Sequence, residues 1–142
     1  MIIPDVNLLV YAHNAGAPQH VAARLWAEST FSGIEPVRIP WSVAHSFLRL
    51  TTDKRFVIEP FDATEASAII DSWFASPAVE VLEPGVRYWS ILRSLIVNGN
   101  IRGPLISDAH LAALAIENDA TICSYDRDFS RFPTIRVINP IA

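Results

Sequence analysis

The run IIPD at residues 2–5 begins this chain, and the same order of a short apolar run followed by an aspartate returns as LISD at 105–108 and TICSYD at 121–126. Such a run is typical of a buried strand that delivers a carboxylate to its carboxyl end, where open α/β sheets bind ligands. A single aspartate at such a junction is more often a helix N-cap, but the repetition favours a shared site. Carboxylates gathered there repel one another unless a cation lies between them. The pattern therefore predicts a hard divalent metal and, with it, phosphate chemistry.

Strand-like and helix-like segments alternate along the whole chain. We predict strands at residues 1–4, 37–39, 79–82, 121–124 and 135–138. We predict helices at residues 5–13, 18–33, 41–52, 62–74, 86–97 and 107–117. The second helix is expected to begin with Pro18 in its first turn, and the one before residue 98 to stop at Asn98-Gly99. Asp62 and Glu65 form the pattern of a capping box. This alternation predicts a parallel sheet with helices on both faces, in one domain spanning residues 1–142.

The basic residues are ten arginines and a single lysine, Lys54, and this imbalance excludes several classes of phosphate-handling protein. A P-loop needs a Gly-Lys-Ser/Thr sequence, which is absent. Receiver domains and haloacid-dehalogenase-like phosphatases use a lysine late in the chain. Arginine instead suits bidentate contact with phosphate. The net charge of −4 is unfavourable for binding nucleic acid, although a metal among the acids would reverse the charge locally.

Cysteine content and hydropathy indicate the compartment. Cys123 is the only cysteine, so a disulfide framework is excluded and a reducing cytosol is expected. No apolar stretch reaches the roughly 18 residues of a membrane span, and the N-terminus lacks the basic segment of a secretory signal. We therefore expect a cytoplasmic protein without a membrane segment.

Several motifs, in this order, carry a resemblance to a known family. They are MIIPDVNLL at 1–9, FLRLTT at 47–52, SDAHLAALAIE at 107–117, SYDRDF at 124–129 and RF at 131–132. Together they resemble the PIN-domain ribonucleases, specifically the VapC-type toxins of toxin–antitoxin pairs. The resemblance covers nearly the whole chain.

This resemblance implies a three-layer α/β/α fold around a central parallel sheet of about five strands. It also implies an endoribonuclease that depends on Mg²⁺, or alternatively Mn²⁺, acts on RNA, is commonly a homodimer and is held inactive by a cognate VapB-type antitoxin. Asp5 corresponds to the family's first acid, Asp108 to its third and Asp126 to its fourth, which makes these three the expected metal ligands. Ser124 corresponds to the family's small hydroxyl residue before the fourth acid. Asp128 corresponds to an acid that is less uniformly a ligand.

The chain departs from the family at the second acid, whose place before the Phe-Leu-Arg stretch is occupied by Ser46. Ser42, Ser46 and Arg49 have helical spacing, so one polar stripe of their helix could face the site. Ser46 could hold a metal-bound water, and weaker metal binding is the expected cost. Arg49 is the preferred phosphate contact, ahead of Arg102, Arg127 and Arg131.

Other polar residues have more ordinary interpretations. The four histidines show no metal-ligand spacing, and His110 is expected on a different helix face from Asp108. Asn7 is expected to bond local backbone. The four tryptophans are expected in the core or at an interface.

Two alternatives to a ribonuclease stay open. Loss of the second acid could leave a PIN-fold protein that binds RNA or an antitoxin without cutting. The same acids could also serve a metal-dependent phosphatase or a flap-type DNA nuclease. The choice of RNA over DNA rests on the resemblance alone.

Overall fold

The computed structural model describes all residues 1–142, and its centre is a five-stranded parallel sheet. The strands are β1 Ile2–Pro4, β2 Val37–Pro40, β3 Val79–Leu82, β4 Thr121–Cys123 and β5 Arg136–Ile138. They are arranged in the order β3-β2-β1-β4-β5, and every neighbouring pair is parallel. The predicted parallel sheet is confirmed.

Six helices cover this sheet and give the three-layer α/β/α architecture. They are α1 Val6–His13, α2 His20–Phe31, α3 Trp41–Thr51, α4 Ala63–Phe74, α5 Tyr88–Gly99 and α6 Leu105–Asn118. Helix α1 packs on α2 and α3, α3 packs on α4, and α5 packs on α6. None of these helices is long and apolar enough to cross a membrane.

The central strands are short and mostly apolar because they are buried on both faces. Ile3, Val37, Ile39 and Ile122 are completely buried in one cluster of 24 core residues. Helix α6 contributes a run of small buried side chains, including Ala109, Ala112 and Ala113. Small side chains allow its close approach to the sheet.

Three predicted boundaries are wrong. Helix α2 begins at His20, so Pro18 lies in the preceding turn and not in the first helical turn. Helix α5 continues through Asn98 to Gly99 and ends at Asn100, which takes a left-handed conformation with φ of 48°. Helix α6 begins at Leu105 and not at the predicted Ser107, so the apolar Leu105 and Ile106 belong to its first turn and not to a strand.

Candidate active site

The strand order places the candidate site at the point where the chain reverses direction across the sheet. From β1 the chain builds outward through β2 and β3, then returns to the other side of β1 with β4 and β5. Such a switch point leaves a crevice at the carboxyl ends of the two strands that diverge from it. Asp5 follows β1, and Asp126 lies three residues beyond the end of β4. Together with Asp108 they line one cavity of about 410 Å³.

Ser124 connects the first and last of these acids. Its side chain is buried, and its hydroxyl donates a hydrogen bond of 2.7 Å to Asp5 Oδ2. The hydroxyl oxygen of Ser124 also accepts the backbone N–H of Asp126 at 2.9 Å. The other carboxylate oxygen of Asp5 caps α1 by accepting from Val6 N at 2.8 Å. Asp5 therefore serves as an N-cap and lines the cavity at the same time.

Asp108 reaches the cavity from the first turn of α6. The pKa of this carboxyl is raised to about 6, mainly by burial and also by the charges of Asp5, Asp126 and Asp128, while Arg131 lowers it. Burial also raises the pKa of Asp5, against the hydrogen bonds from Ser124 and Val6 that lower it. The acids thus repel one another in a partly desolvated place, which is the electrostatic situation that a bound cation relieves.

The two acids of the last motif occupy different positions. Both side chains are exposed, and Asp126 Oδ1 accepts the backbone N–H of Asp128 at 2.9 Å. Asp126 lines the cavity, whereas Asp128 begins a short 3-10 helix, Asp128–Arg131, outside the cavity lining. Asp128 acts on Asp108 through its charge and does not touch the cavity wall.

Helix α3 provides the opposite wall of the cavity. Ser42, Ser46 and Arg49 all line it, so the polar stripe of this helix faces the acids. Of the four arginines considered as phosphate contacts, only Arg49 is part of this lining.

His110 also lines the cavity, although its spacing of two residues from Asp108 places it on a different face of α6. The cavity extends around the first two turns of α6, so residues on more than one face of the helix border it. A hydrogen bond of 2.9 Å joins His110 Nε2 to Ser42 Oγ, and Tyr88 OH contacts Nδ1. No spacing in the sequence connects Ser42, Tyr88 and His110, since each comes from a different helix.

Asn7 contacts the distant β4 segment and not its local backbone, contrary to expectation. Its amide nitrogen lies 3.4 Å from Ser124 Oγ, and its Oδ1 lies 3.5 Å from Tyr125 N. These long hydrogen bonds connect α1 to the loop that carries Asp126.

The donor set fits a hard cation with an incomplete protein shell. Carboxylate and hydroxyl oxygens are the ligands of Mg²⁺ and Mn²⁺. No three Asp, Glu, His or Cys side chains converge closely enough to hold an ion between them directly. Mg²⁺ usually keeps several waters and needs only one or two carboxylates, so Asp5, Asp108 and Asp126 could hold such an ion partly through water.

Comparisons with known proteins identify the family of this chain. The PIN domain family model matches residues 2–135. Ribonuclease VapC43 of Mycobacterium tuberculosis is 40% identical over 141 residues, covering 99% of this chain and 96% of the relative. Ribonuclease VapC33 of the same species is 36% identical, covering 99% of both chains.

Solved structures share the fold at lower identity. The chain is similar to VapC20 of Mycobacterium tuberculosis, described as a sarcin-ricin loop cleaving toxin, with a TM-score of 0.67, 21% identity, and coverage of 92% of this chain and 93% of that one. It is equally similar to VapBC2 from Rickettsia felis bound to a promoter DNA fragment, with a TM-score of 0.67, 18% identity, and coverage of 97% and 98%. The chain belongs to the PIN-domain family and, within it, to the VapC ribonucleases. The resemblance noted in the sequence is confirmed.

Proposed function

We propose that this protein is the endoribonuclease toxin of a toxin–antitoxin pair and that its activity depends on Mg²⁺ or Mn²⁺ bound at the carboxylate cavity. The observation that carries the proposal is the convergence of Asp5, Asp108 and Asp126 at the switch point of the sheet. Its relatives are named VapC ribonucleases, and the chain covers nearly their whole length. These names support RNA as the substrate.

Each cavity residue has a distinct task in this proposal. Asp5, Asp108 and Asp126 hold the cation, and Ser124 fixes the orientation of Asp5 through a buried hydrogen bond. When bound, the cation supplies Lewis-acid chemistry, since it polarises phosphate oxygens and makes water a better nucleophile near neutral pH. Arg49, on the opposite wall, binds and orients a phosphate of the RNA. Asp128 contributes negative charge from outside the cavity lining.

The proposed domain organisation, partners and location also rest on the family relationship. We propose that residues 1–142 act as one PIN domain, that a VapB-type antitoxin binds the protein, and that the toxin forms a homodimer. Solved neighbours described as VapBC support the antitoxin. A cytoplasmic location is consistent with Cys123, which is unpaired and buried, its pKa raised by burial to about 11.

The proposal is tested by incubating the purified protein with single-stranded RNA and with DNA of the same sequence. RNA cleavage that stops in EDTA and returns with Mg²⁺ or Mn²⁺ is expected, with little cleavage of DNA. Preferential cleavage of DNA would favour the flap-type nuclease alternative. Binding of RNA without cleavage at any metal concentration would favour the non-cutting alternative.

A further inference from the structure

A polar groove between α3 and α4 adjoins the carboxylate cavity. Ser46 and Arg49 line both spaces, so the two are continuous along one face of α3. Thr52 and Ser67 continue the lining away from the acids. A chain that entered the cavity would therefore leave it over hydroxyl groups, the imidazole of His45 and one guanidinium.

Arg49 is free to bind a ligand in this groove. Its side chain is exposed, and it takes part in none of the four ion pairs of the structure. Hydrogen bonds from Arg55 are the main cause that lowers the pKa of the nearby Asp53, and Arg49 contributes least. Ser42 and Thr51 of α3 and its C-cap Thr52 make side-chain hydrogen bonds, whereas Ser46 and Arg49 make none.

An exposed aromatic ring lies beside this guanidinium. Phe56 is 51% exposed, an uncommon position for a phenylalanine, and its ring centroid lies 5.9 Å from Arg49 Cζ. The guanidinium of Arg55 lies 5.7 Å from the same centroid. Both guanidiniums lie over the Phe56 ring. An exposed aromatic ring together with guanidinium groups is the combination that binds single-stranded nucleic acid, because bases stack on the ring and phosphates pair with the charge.

We propose that the α3–α4 groove binds the single-stranded RNA next to the bond that is cut, with Arg49 on a backbone phosphate and Phe56 stacked on an unpaired base. This proposal rests on the proposed function, since it extends the same substrate beyond the acids. Arg49 also lies in the last turn of α3, where any cation is favourable. The experiment must therefore separate RNA binding from helix stability.

Binding of a short fluorescent single-stranded RNA of mixed sequence is measured by anisotropy over a range of salt concentrations. Every protein carries Asp108→Asn, so that the RNA is not cut. Arg49→Gln should weaken binding roughly three- to tenfold. It should also reduce the slope of log affinity against log salt by about 0.7, the contribution of one phosphate contact on a single strand. Arg93→Gln is the matched control, because Arg93 is exposed on α5 and lines neither space.

The ring is tested in the same assay. Phe56→Leu should weaken binding at least about fivefold and leave the salt slope unchanged, because no charge is lost. Phe56→Trp should bind RNA about as well as the protein with Phe56, since stacking needs only an aromatic face. Trp89→Leu is the control, because Trp89 is 64% exposed and has no guanidinium over its ring.

Three results would overturn the inference. The first is an equal effect of Arg49→Gln and Arg93→Gln on RNA affinity. The second is an equal loss of RNA affinity in Phe56→Leu and Phe56→Trp. The third is a loss of antitoxin binding in the groove variants with RNA affinity unchanged. Cleavage of the same RNA by the protein with Asp108 intact is measured separately. If that protein cuts but the groove variants bind normally, only the inference fails. If the groove variants lose binding as expected but no metal supports cutting, only the proposed function fails.

Discussion

Asp5 illustrates how a single residue can serve both the fold and the candidate site. The carboxylate of Asp5 caps α1 with one oxygen and receives the Ser124 hydroxyl with the other. Both hydrogen bonds favour the ionised form, so they oppose the burial that raises the pKa of Asp5. The cap and ligand interpretations of Asp5 are therefore not exclusive.

Position 46 gives the first prediction at the residue scale. Ser46 lines the acid cavity, and the sequence resemblance assigns the family's second acid to this position. Ser46→Glu should lower the Mg²⁺ concentration for half-maximal cleavage by roughly five- to a hundredfold, since one charged ligand is worth about 1–3 kcal/mol. The maximal rate should change little, because occupancy and not chemistry improves. A Mg²⁺ titration of both proteins at one ionic strength measures this. An unchanged midpoint in the folded variant would show that position 46 does not act on the metal.

Asp108 gives a prediction about stability and pH. Its pKa is about 6 in the folded protein against an ordinary value of 3.8, so the folded state holds the proton more tightly. Folding stability should then fall as pH rises from about 4 to about 6, because the carboxylate must ionise in an unfavourable place. The full shift corresponds to about 3 kcal/mol, and solvent at this half-buried side chain reduces it to about 1–2 kcal/mol.

Asp108→Asn should therefore be more stable than the natural protein at pH 7, and this advantage should disappear below about pH 4. Denaturant unfolding in EDTA at several pH values measures the difference, since bound cation would lower the pKa again. A difference that stays constant with pH would contradict the electrostatic account of this residue.

At the scale of elements, α4 tests the role of local capping. Asp62 Oδ1 accepts from Glu65 N at 2.8 Å, and Glu65 Oε1 accepts from Asp62 N at 3.2 Å. The capping box expected from the sequence is thus present. Asp62→Ala should lower the free energy of unfolding by about 1 kcal/mol. Asp71→Ala, an exposed change later in the same helix, is the control and should cost little. Equal effects of the two changes would mean that the box does not stabilise α4.

The elements differ in how well the sequence predicted them, and the reasons are local. The strands were found because short apolar runs between helical segments leave few alternatives. The start of α6 was missed because its N-cap is Pro104, which provides no side-chain hydrogen bond. The apolar Leu105 and Ile106 then had the appearance of a strand. The side-chain stripe of α3 was predicted because its spacing lies within one helix.

Contacts between elements could not be predicted in the same way. His110 meets Ser42 and Tyr88 only because three helices converge on the cavity. The place of Phe56 beside Arg49 depends on the path of the segment after α3, which has no periodic pattern. Such contacts are set by tertiary packing, and one sequence carries no local signal for them.

For the whole molecule, charge distribution matters more than net charge. The chain carries −4 overall, yet three of its acids line one cavity at the edge of the sheet. In our proposal these acids bind a cation, which would offset their repulsion of RNA. Arg49 then offers positive charge on the opposite wall. RNA binding should therefore depend on the wall formed by α3, and the affinity should fall as salt rises.

The central claim is that Asp5 and Asp108 hold the metal that supports RNA cleavage. Its most direct test is the single-turnover cleavage rate of Asp5→Asn and Asp108→Asn at saturating Mg²⁺, with Asp71→Asn as an exposed control on α4. Each cavity variant removes a charged ligand and keeps its shape, so each should lose cleavage while remaining folded by circular dichroism. Asp71→Asn should cut at the natural rate. Natural rates in either cavity variant would contradict the assignment of the site.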